Sequence, residues 1–399
     1  LYDHLGGRER LPGSHFVDLT TDPAGEPLQA SITKGFEYSD CWVDDARLVV
    51  LNARDAADKG AAIYTRTEVV NATRHENQWR LDVKDSKSGK HGTVRARTLV
   101  NAAGPWAGQV VTDRIAPPSP ARIRLVKGSH IVVPRIFDHD RAYIFQNPDQ
   151  RIIFAIPYQT EFTLLGTTDV DFSGRPEDAA ADTGEVDYLC AASSEYFSTP
   201  VSPEDLVWSY SGVRPLFDDG VSAAREATRD FVLESGGNFG EAVVLNVFGG
   251  KITTYRKLAE EVLDKLIPWL PAMQPPWTEG AALPGGDFPI DGVDVLLADI
   301  TAQYPQMPVA LLKRLVQTYG TLIPKVLGPA ETESDLGRHF GASLYQREIE
   351  YLVRTEWAVS AEDILWRRTK LGLRMSDKEI AELSSFMKEN PADGKAAVG

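Results

Sequence analysis

The chain has 399 residues, a formal net charge of -15, 43% hydrophobic and 25% charged residues, which is ordinary globular composition for two or three domains and excludes a fibrous, collagen-like or wholly disordered protein. An acidic surface repels a phosphate backbone, so nucleic acid is not an expected partner, and an anionic small molecule would need a locally basic pocket. Two cysteines, Cys41 and Cys190, exclude a disulfide scaffold and a Cys-rich metal centre and fit a reducing cytosolic face; no apolar run approaches the ~18 residues of a membrane span.

In chain order, residues 1–45 are rich in turn formers (Gly6-Gly7, Leu11-Pro12-Gly13, Asp22-Pro23, Glu26-Pro27) and read as loop. Asp44-Asp45 then precedes an amphipathic helix from Ala46 to Lys59, with Gly60 as its stop. Strands are expected at Ala62–Thr65, Val69–Thr73, Trp79–Val83 and Thr93–Arg97, the last three as a β-meander. Thr98 to Trp106 reads as an apolar strand running into a small-residue turn. Further strands are expected at His130–Pro134, Ala142–Gln146, Arg151–Tyr158, Phe162–Asp169, Val207–Pro215, Asp230–Glu234 and Val243–Phe248, forming one large, mostly antiparallel sheet with a hairpin loop at Gln159–Glu161. Gly249-Gly250-Lys251 opens a helix, prolines break the pattern around 270–290, and residues 291–390 read as helical, with capping boxes at Ser360–Asp363 and Ser376–Glu379.

The chain contains no GxGxxG, no GxxxxGK[ST], no HExxH and no GxSxG. Three local constellations carry candidate chemistry. In Val247 to Tyr255 a strand ends in two glycines and hydroxyl residues open a helix; glycines let a ligand approach the backbone, and free amides at a helix start favour an anion or carbonyl. Arg214, Arg229 and Lys251 lie at expected strand ends, where they could converge on a phosphate or carboxylate. His130, at the entry to the strand Ile131–Pro134, could serve as general base on a hydroxyl. Each has a plainer reading: a capped strand–helix turn, surface cations and a structural histidine. Asp169 and Asp171 alternate at a strand end, where local hydrogen bonding is preferred to metal binding, and no metal site is expected. The run Trp366-Arg367-Arg368-Thr369-Lys370 reads as a solvated helix face, with anionic lipid as the alternative.

Several of these segments together resemble the FAD-dependent, aerobic glycerol-3-phosphate dehydrogenases: Phe36 to Leu48, Val100 to Trp106, Lys127-Gly128-Ser129-His130, Gly166-Thr167-Thr168-Asp169, Tyr210 to Leu216, Phe248 to Arg256 and Trp366 to Gly372. The matches are in family order and span nearly the whole chain. The resemblance implies an α/β (α+β) fold of the D-amino-acid-oxidase-like type: the remainder of an FAD-binding domain with its β-meander at 1–120, a mainly antiparallel substrate-binding domain at 121–248, a return to the FAD domain at 249–275 and a helical cap at 285–399. It further implies FAD contacts at Val69, Ala103, Gly104, Trp106, Gly249, Gly250, Ile252 and Thr253, with the helix start facing the flavin carbonyl edge. His130 would be the base, and Arg214, Arg229 and Lys251 would hold the substrate phosphate. The implied reaction oxidises sn-glycerol 3-phosphate to dihydroxyacetone phosphate and passes electrons to quinone, on a protein peripheral to the inner face of the cell membrane; a homodimer is compatible.

Family members begin with a strand, a GxGxxG loop and a helix that this chain does not contain, and residue 1 is Leu. The resemblance therefore implies an FAD domain lacking its first βαβ segment, as expected for a fragment, a partial gene or a chain whose first segment lies elsewhere. Two other readings stay open: a flavin-free, inactive module that binds phosphorylated ligands, and an oxygen-using glycerol-3-phosphate oxidase.

Overall fold

The computed structural model describes residues 11–75, 77–115, 123–217, 230–237, 241–271 and 273–391. Their contacts divide the chain into two compact units, one of residues 1–42, 68–84 and 89–274, the other of residues 43–67, 85–88 and 275–399.

The stretch 11–45 is not all loop. β1 (His15–Asp18) and β2 (Lys34–Glu37) pair antiparallel, Phe16 opposite Phe36, because the two short segments alternate in a way that the surrounding turn formers obscure. Helix α1 (Asp45–Asp58) forms as expected, with Asp44 accepting the Arg47 amide as N-cap. Ala62–Thr65 is not a strand. The meander follows as β3 (Thr67–His75), β4 (Gln78–Asp85) and β5 (His91–Ala96).

The expected single large sheet is two. β6 (Thr98–Asn101) belongs to the first, and the second begins with β7 (Ile123–Pro134), a strand of 12 residues. Around β7 lie β8 (Tyr143–Gln146), β9 (Ile152–Tyr158), β10 (Phe162–Gly166), β11 (Val170–Asp171) and, after a helix, β12 (Trp208–Phe217). All are joined antiparallel, in the order β11-β7-β10-β9-β8, with β12 also on β7. The helix α2 (Thr183–Ser194) escapes the strand-biased reading of this region, although Asp182 and Glu185 form a complete capping box at its start. It packs Val186, Leu189 and Cys190 onto Ile131, Val133, Ile153, Ala155 and Leu165. One face of the sheet is thereby sealed.

β13 (Val232–Gly236) and β14 (Val243–Phe248) do not join that sheet. β14 runs parallel to β6, with Asn246 opposite Asn101, and β13 pairs antiparallel outside it. β14 is buried along its whole length because both faces are covered, which removes the polar alternation of a half-buried strand. Helix α3 (Tyr255–Leu266) covers one face through Leu258, Val262 and Leu266. The meander covers the other through Ala72, Trp79, Leu81 and Val83. Trp79 is fully buried and its indole donates to the Val243 carbonyl at 2.8 Å.

The second unit is mainly helical: α4 (Val293–Gln303), α5 (Val309–Tyr319), α6 (Ile323–Leu327), a hairpin of β15 (His339–Gly341) and β16 (Leu344–Tyr345), α7 (Gln346–Thr355) and α8 (Asp377–Glu389). Residues 43–67, with α1, group with it. The buried Arg47 guanidinium binds both oxygens of the fully buried Glu356 carboxylate. The Ser376–Glu379 capping box is present, and Ser360 and Asp363 exchange their hydrogen bonds, although the turn that follows is π-type. The run 366–370 is neither a solvated face nor a lipid patch. Arg368 and Lys370 are buried and donate to the carbonyls of Glu356 and Trp366; Arg367 is the exposed cation and pairs with Glu362.

Truncating Trp79 removes a full core side chain and orphans a buried carbonyl. Trp79→Ala is expected to cost about 3–5 kcal/mol, read as a fall in thermal or urea midpoint.

Candidate active site

The pairing of β7 with β12 sets His130 opposite Tyr210, Gly128 opposite Gly212 and Val126 opposite Arg214. Side chains alternate along a strand, so these three pairs share one face. His130 is in the middle of β7, not at its entry, because the strand begins seven residues earlier than its apolar core indicates. Its ring stacks on Tyr210 at 5.0 Å between centroids and 6° between planes, and Trp208 continues the stack. The ring also lies against Gly166 of β10, where a Cβ would come within 2.2 Å of the imidazole. Between the His130–Tyr210 stack and Arg214 the face carries only the glycine pair. Among the described residues, a Cβ at Gly212 would meet nothing within 4 Å, whereas one at Gly128 would lie 2.7 Å from Thr167 Oγ1 and 3.1 Å from the Thr168 carbonyl.

Arg214 pairs with Asp169. Asp169 thus makes a long-range contact across 45 positions. Asp171 pairs with Arg124.

The opposite face of the same strand pair is polar and buried. Ser129 and Ser211 share a hydrogen bond of 2.7 Å, and Glu185 at the start of α2 accepts from Ser129 Oγ at 2.9 Å and Thr168 Oγ1 at 2.8 Å. Lys127, itself buried, places Nζ 2.7 Å from Glu185. Burial pushes the Glu185 carboxyl up, but hydrogen bonds from Lys127, Thr168, the Asp182 amide and Ser129 outweigh it and hold the group below the ordinary carboxylate range. The backbone amide of Ser129 donates to Thr168 Oγ1, which ties the loop leading to Asp169 into this network.

The remaining candidates fall into two groups near this face. The turn Gly104–Trp106 lies against β12, and Ala103 and Trp106, with Val69, line a pocket of about 500 Å3. Ala72, Leu99, Val100, Ala102 and Ile115 make it apolar, and a Glu68–Arg114 ion pair stands at its rim. Gly249 sits beside β12: at its φ of 74° a Cβ would lie 2.7 Å from the Asp230 carbonyl and 3.6 Å from that of Pro215, so only glycine fits. Gly250, Lys251, Ile252 and Thr253 follow on an exposed turn before α3. Arg229 lies outside the described residues.

Sequence reasoning missed Tyr210, Gly128, Gly212 and Glu185. The signal for the first three was the period-2 match of Val126-x-Gly128-x-His130 with Tyr210-x-Gly212-x-Arg214; for Glu185 it was the capping box with Asp182.

The family model described as FAD dependent oxidoreductase matches residues 3–256, and that described as the C-terminal domain of alpha-glycerophosphate oxidase matches residues 277–389. The chain belongs to the FAD-dependent oxidoreductases. It is 48% identical over 384 residues to D-erythritol 1-phosphate dehydrogenase of Brucella abortus, covering 96% of this chain and 76% of that protein. It is 44% identical over 389 residues to the aerobic glycerol-3-phosphate dehydrogenase of Escherichia coli, covering 98% and 77%. Among solved structures, the glycerol-3-phosphate dehydrogenase from Bacillus halodurans complexed with FAD superposes with a TM-score of 0.75 at 22% identity, over 96% of this chain and 81% of that one. The D-amino-acid-oxidase-like fold expected from the motifs is therefore the fold of this chain.

The residues present fit the family's cofactor. The apolar pocket beside β6 has room for a flat ring system, and Val69, Ala103 and Trp106 among the expected cofactor contacts line it.

The sign of the acid response follows from Glu185. Its stabilising contribution is complete above the unfolded carboxyl value of roughly 4.3 and is lost as pH falls through the lower folded value. Glu185→Gln, which leaves Lys127 buried without its charge partner, is expected to cost about 3 kcal/mol at neutral pH and to flatten the fall in stability below pH ~4. Urea midpoints measured across that range check both.

Proposed function

We propose that this oxidoreductase oxidises sn-glycerol 3-phosphate to dihydroxyacetone phosphate and passes the electrons to a quinone, acting peripherally at the inner face of the cell membrane. One observation carries the reading: His130 and Arg214 share a face across a glycine pair. Arg214 Nη2 reaches to 3.3 Å from where a Cβ of Gly128 would stand, two residues from His130. Two residues of strand span roughly 7 Å. A guanidinium on the same face as the imidazole suits a phosphate ester whose neighbouring carbon bears a hydroxyl.

In this reading Arg214, with Arg229 and Lys251, receives the phosphate and fixes the C2 hydroxyl at the imidazole. Neutral His130 takes the hydroxyl proton as the C2 hydrogen leaves with its electron pair, so the C2–O bond gains its double character without a free alkoxide. Bound FAD supplies the acceptor for that electron pair. Val69, Ala103, Gly104 and Trp106 would hold the cofactor on the pocket side, and Gly249, Gly250, Ile252 and Thr253 on the side of α3. Tyr210 keeps the imidazole in plane and Gly166 leaves space for it.

The 48% identical relative named for D-erythritol 1-phosphate favours a second reading in which the substrate is a longer polyol phosphate. Both substrates can present a hydroxyl beside a phosphorylated carbon, and among the described residues nothing lies within 4 Å of where a Cβ of Gly212 would stand. The ratio of kcat/KM for the two compounds decides between them.

Anaerobic addition of sn-glycerol 3-phosphate to the flavin-loaded protein is expected to bleach the flavin absorbance. No bleaching by either polyol phosphate would defeat the reading, and oxygen uptake without quinone reduction would make the protein an oxidase. His130→Ala is expected to slow flavin reduction by 100-fold or more, on the order of a lost general base, with flavin content unchanged. Arg214→Ala is expected to weaken substrate binding by about 1.5–3 kcal/mol, seen as a raised KM.

A further inference from the structure

We propose that Asp169 is the positioning residue for Arg214, taking one arm of the guanidinium so that the other is held over Gly128 to receive the anionic group of the substrate. This rests on the reading of Arg214 as the phosphate anchor. Nη1 of Arg214 donates to Asp169 Oδ1, while Nη2 lies 3.3 Å from the place of a Cβ at Gly128. The two arms of one planar group thus face different ways, one toward a protein carboxylate and one into the glycine gap. The pair is exposed, with 41% and 36% of the two side chains accessible, and an ion pair that open adds little to stability. Its consequence is geometric. A free arginine has many rotamers to lose on binding a ligand, and a tethered one has lost most of them beforehand.

Asp169 is itself fixed from below. Thr168 Oγ1 donates to Glu185 and accepts from the Ser129 amide, and the Thr168 amide returns to the Ser129 carbonyl at 3.4 Å. Thr167 Oγ1 donates to the Thr168 carbonyl and occupies the place beside Gly128, 2.7 Å from where a Cβ would stand. The buried Lys127–Glu185 pair therefore determines the position of the loop, the loop that of Asp169, and Asp169 that of Arg214. Asp169 also opposes the bound anion by its charge, but the guanidinium stands between them, so the positioning effect outweighs the repulsion.

The test compares Asp169→Ala and Asp169→Asn in the flavin-loaded full chain. KM for sn-glycerol 3-phosphate and its calorimetric Kd are measured together with kcat and flavin content. Asp169→Ala is expected to raise KM and Kd roughly tenfold, the scale of one charged hydrogen bond, with kcat within about threefold and flavin content unchanged. Asp169→Asn keeps an acceptor for Nη1 and is expected to recover most of the affinity. Unchanged affinity in Asp169→Ala overturns the proposal, and tighter binding would make Asp169 a screen on Arg214 instead. A fall in kcat and flavin content without the KM effect would mark a structural role only. If Arg214→Ala raises KM while Asp169→Ala does not, the anchor stands and the positioning fails; if the wild-type flavin is not reduced, the anchor reading itself fails.

Discussion

The site depends on burying a charge pair beneath a sheet. Lys127 and Glu185 lie under the β7–β12 pair, and a buried ion pair is tolerable only when its remaining hydrogen-bonding capacity is filled. Here Ser129, Thr168 and the Asp182 amide fill that of Glu185. Those partners come from β7, the loop after β10 and the start of α2. Satisfying one carboxylate therefore fixes three elements at once. Because side chains alternate, fixing Ser129 on the inner face also fixes Gly128 and His130 on the outer one. A one-residue slip of β7 against β12 would turn Ser129 out and His130 in, breaking the bonds of Ser129 to Ser211 and Glu185 and losing the network and the site together.

The same alternation lets a chain of charge -15 place an arginine beside the glycine pair on the outer face, as the proposed phosphate site requires. Long-range steering by the whole molecule opposes an anionic substrate, but over a few ångströms the nearest charges decide. On the outer face Arg214 stands beside the Gly128–Gly212 pair, and its partner Asp169 comes from a neighbouring loop. The inner cation, Lys127, is matched by Glu185 and directed away from the gap. Two cations within four positions along paired strands are thus assigned different tasks by which face they occupy.

How much of this was legible in the sequence varies with how local the cause is. The helix Asp45–Asp58, the meander and most antiparallel strands follow from periodicity and caps that act within a few residues. The split into two sheets did not follow, because β14 has no alternation to read: covered by α3 on one side and the meander on the other, it is apolar throughout and indistinguishable by pattern from the strands of the other sheet. The buried state of Arg368 and Lys370 was illegible for the same kind of reason. A charge run reads as solvated, and only the tertiary fold places carbonyls where these side chains end. His130 and Arg214 are singled out by motifs, yet their shared face depends on strand register, which the two strands' sequences carry only jointly.

Register also bears on which polyol phosphate the site accepts. The separation between the arginine arm over Gly128 and the imidazole is set by two residues of strand and is insensitive to the rest of the pocket. In the proposed reading it matches a hydroxyl on the carbon next to the phosphate ester. It does not itself bear on what lies beyond that hydroxyl; among the described residues, nothing lies within 4 Å of where a Cβ of Gly212 would stand. Residues that distinguish three carbons from four must then lie off this strand pair, on elements facing the gap. A relative can consequently keep the Tyr210-x-Gly212-x-Arg214 spacing and change substrate length, because the phosphate-to-hydroxyl measure and the chain-length measure are made by different parts of the fold.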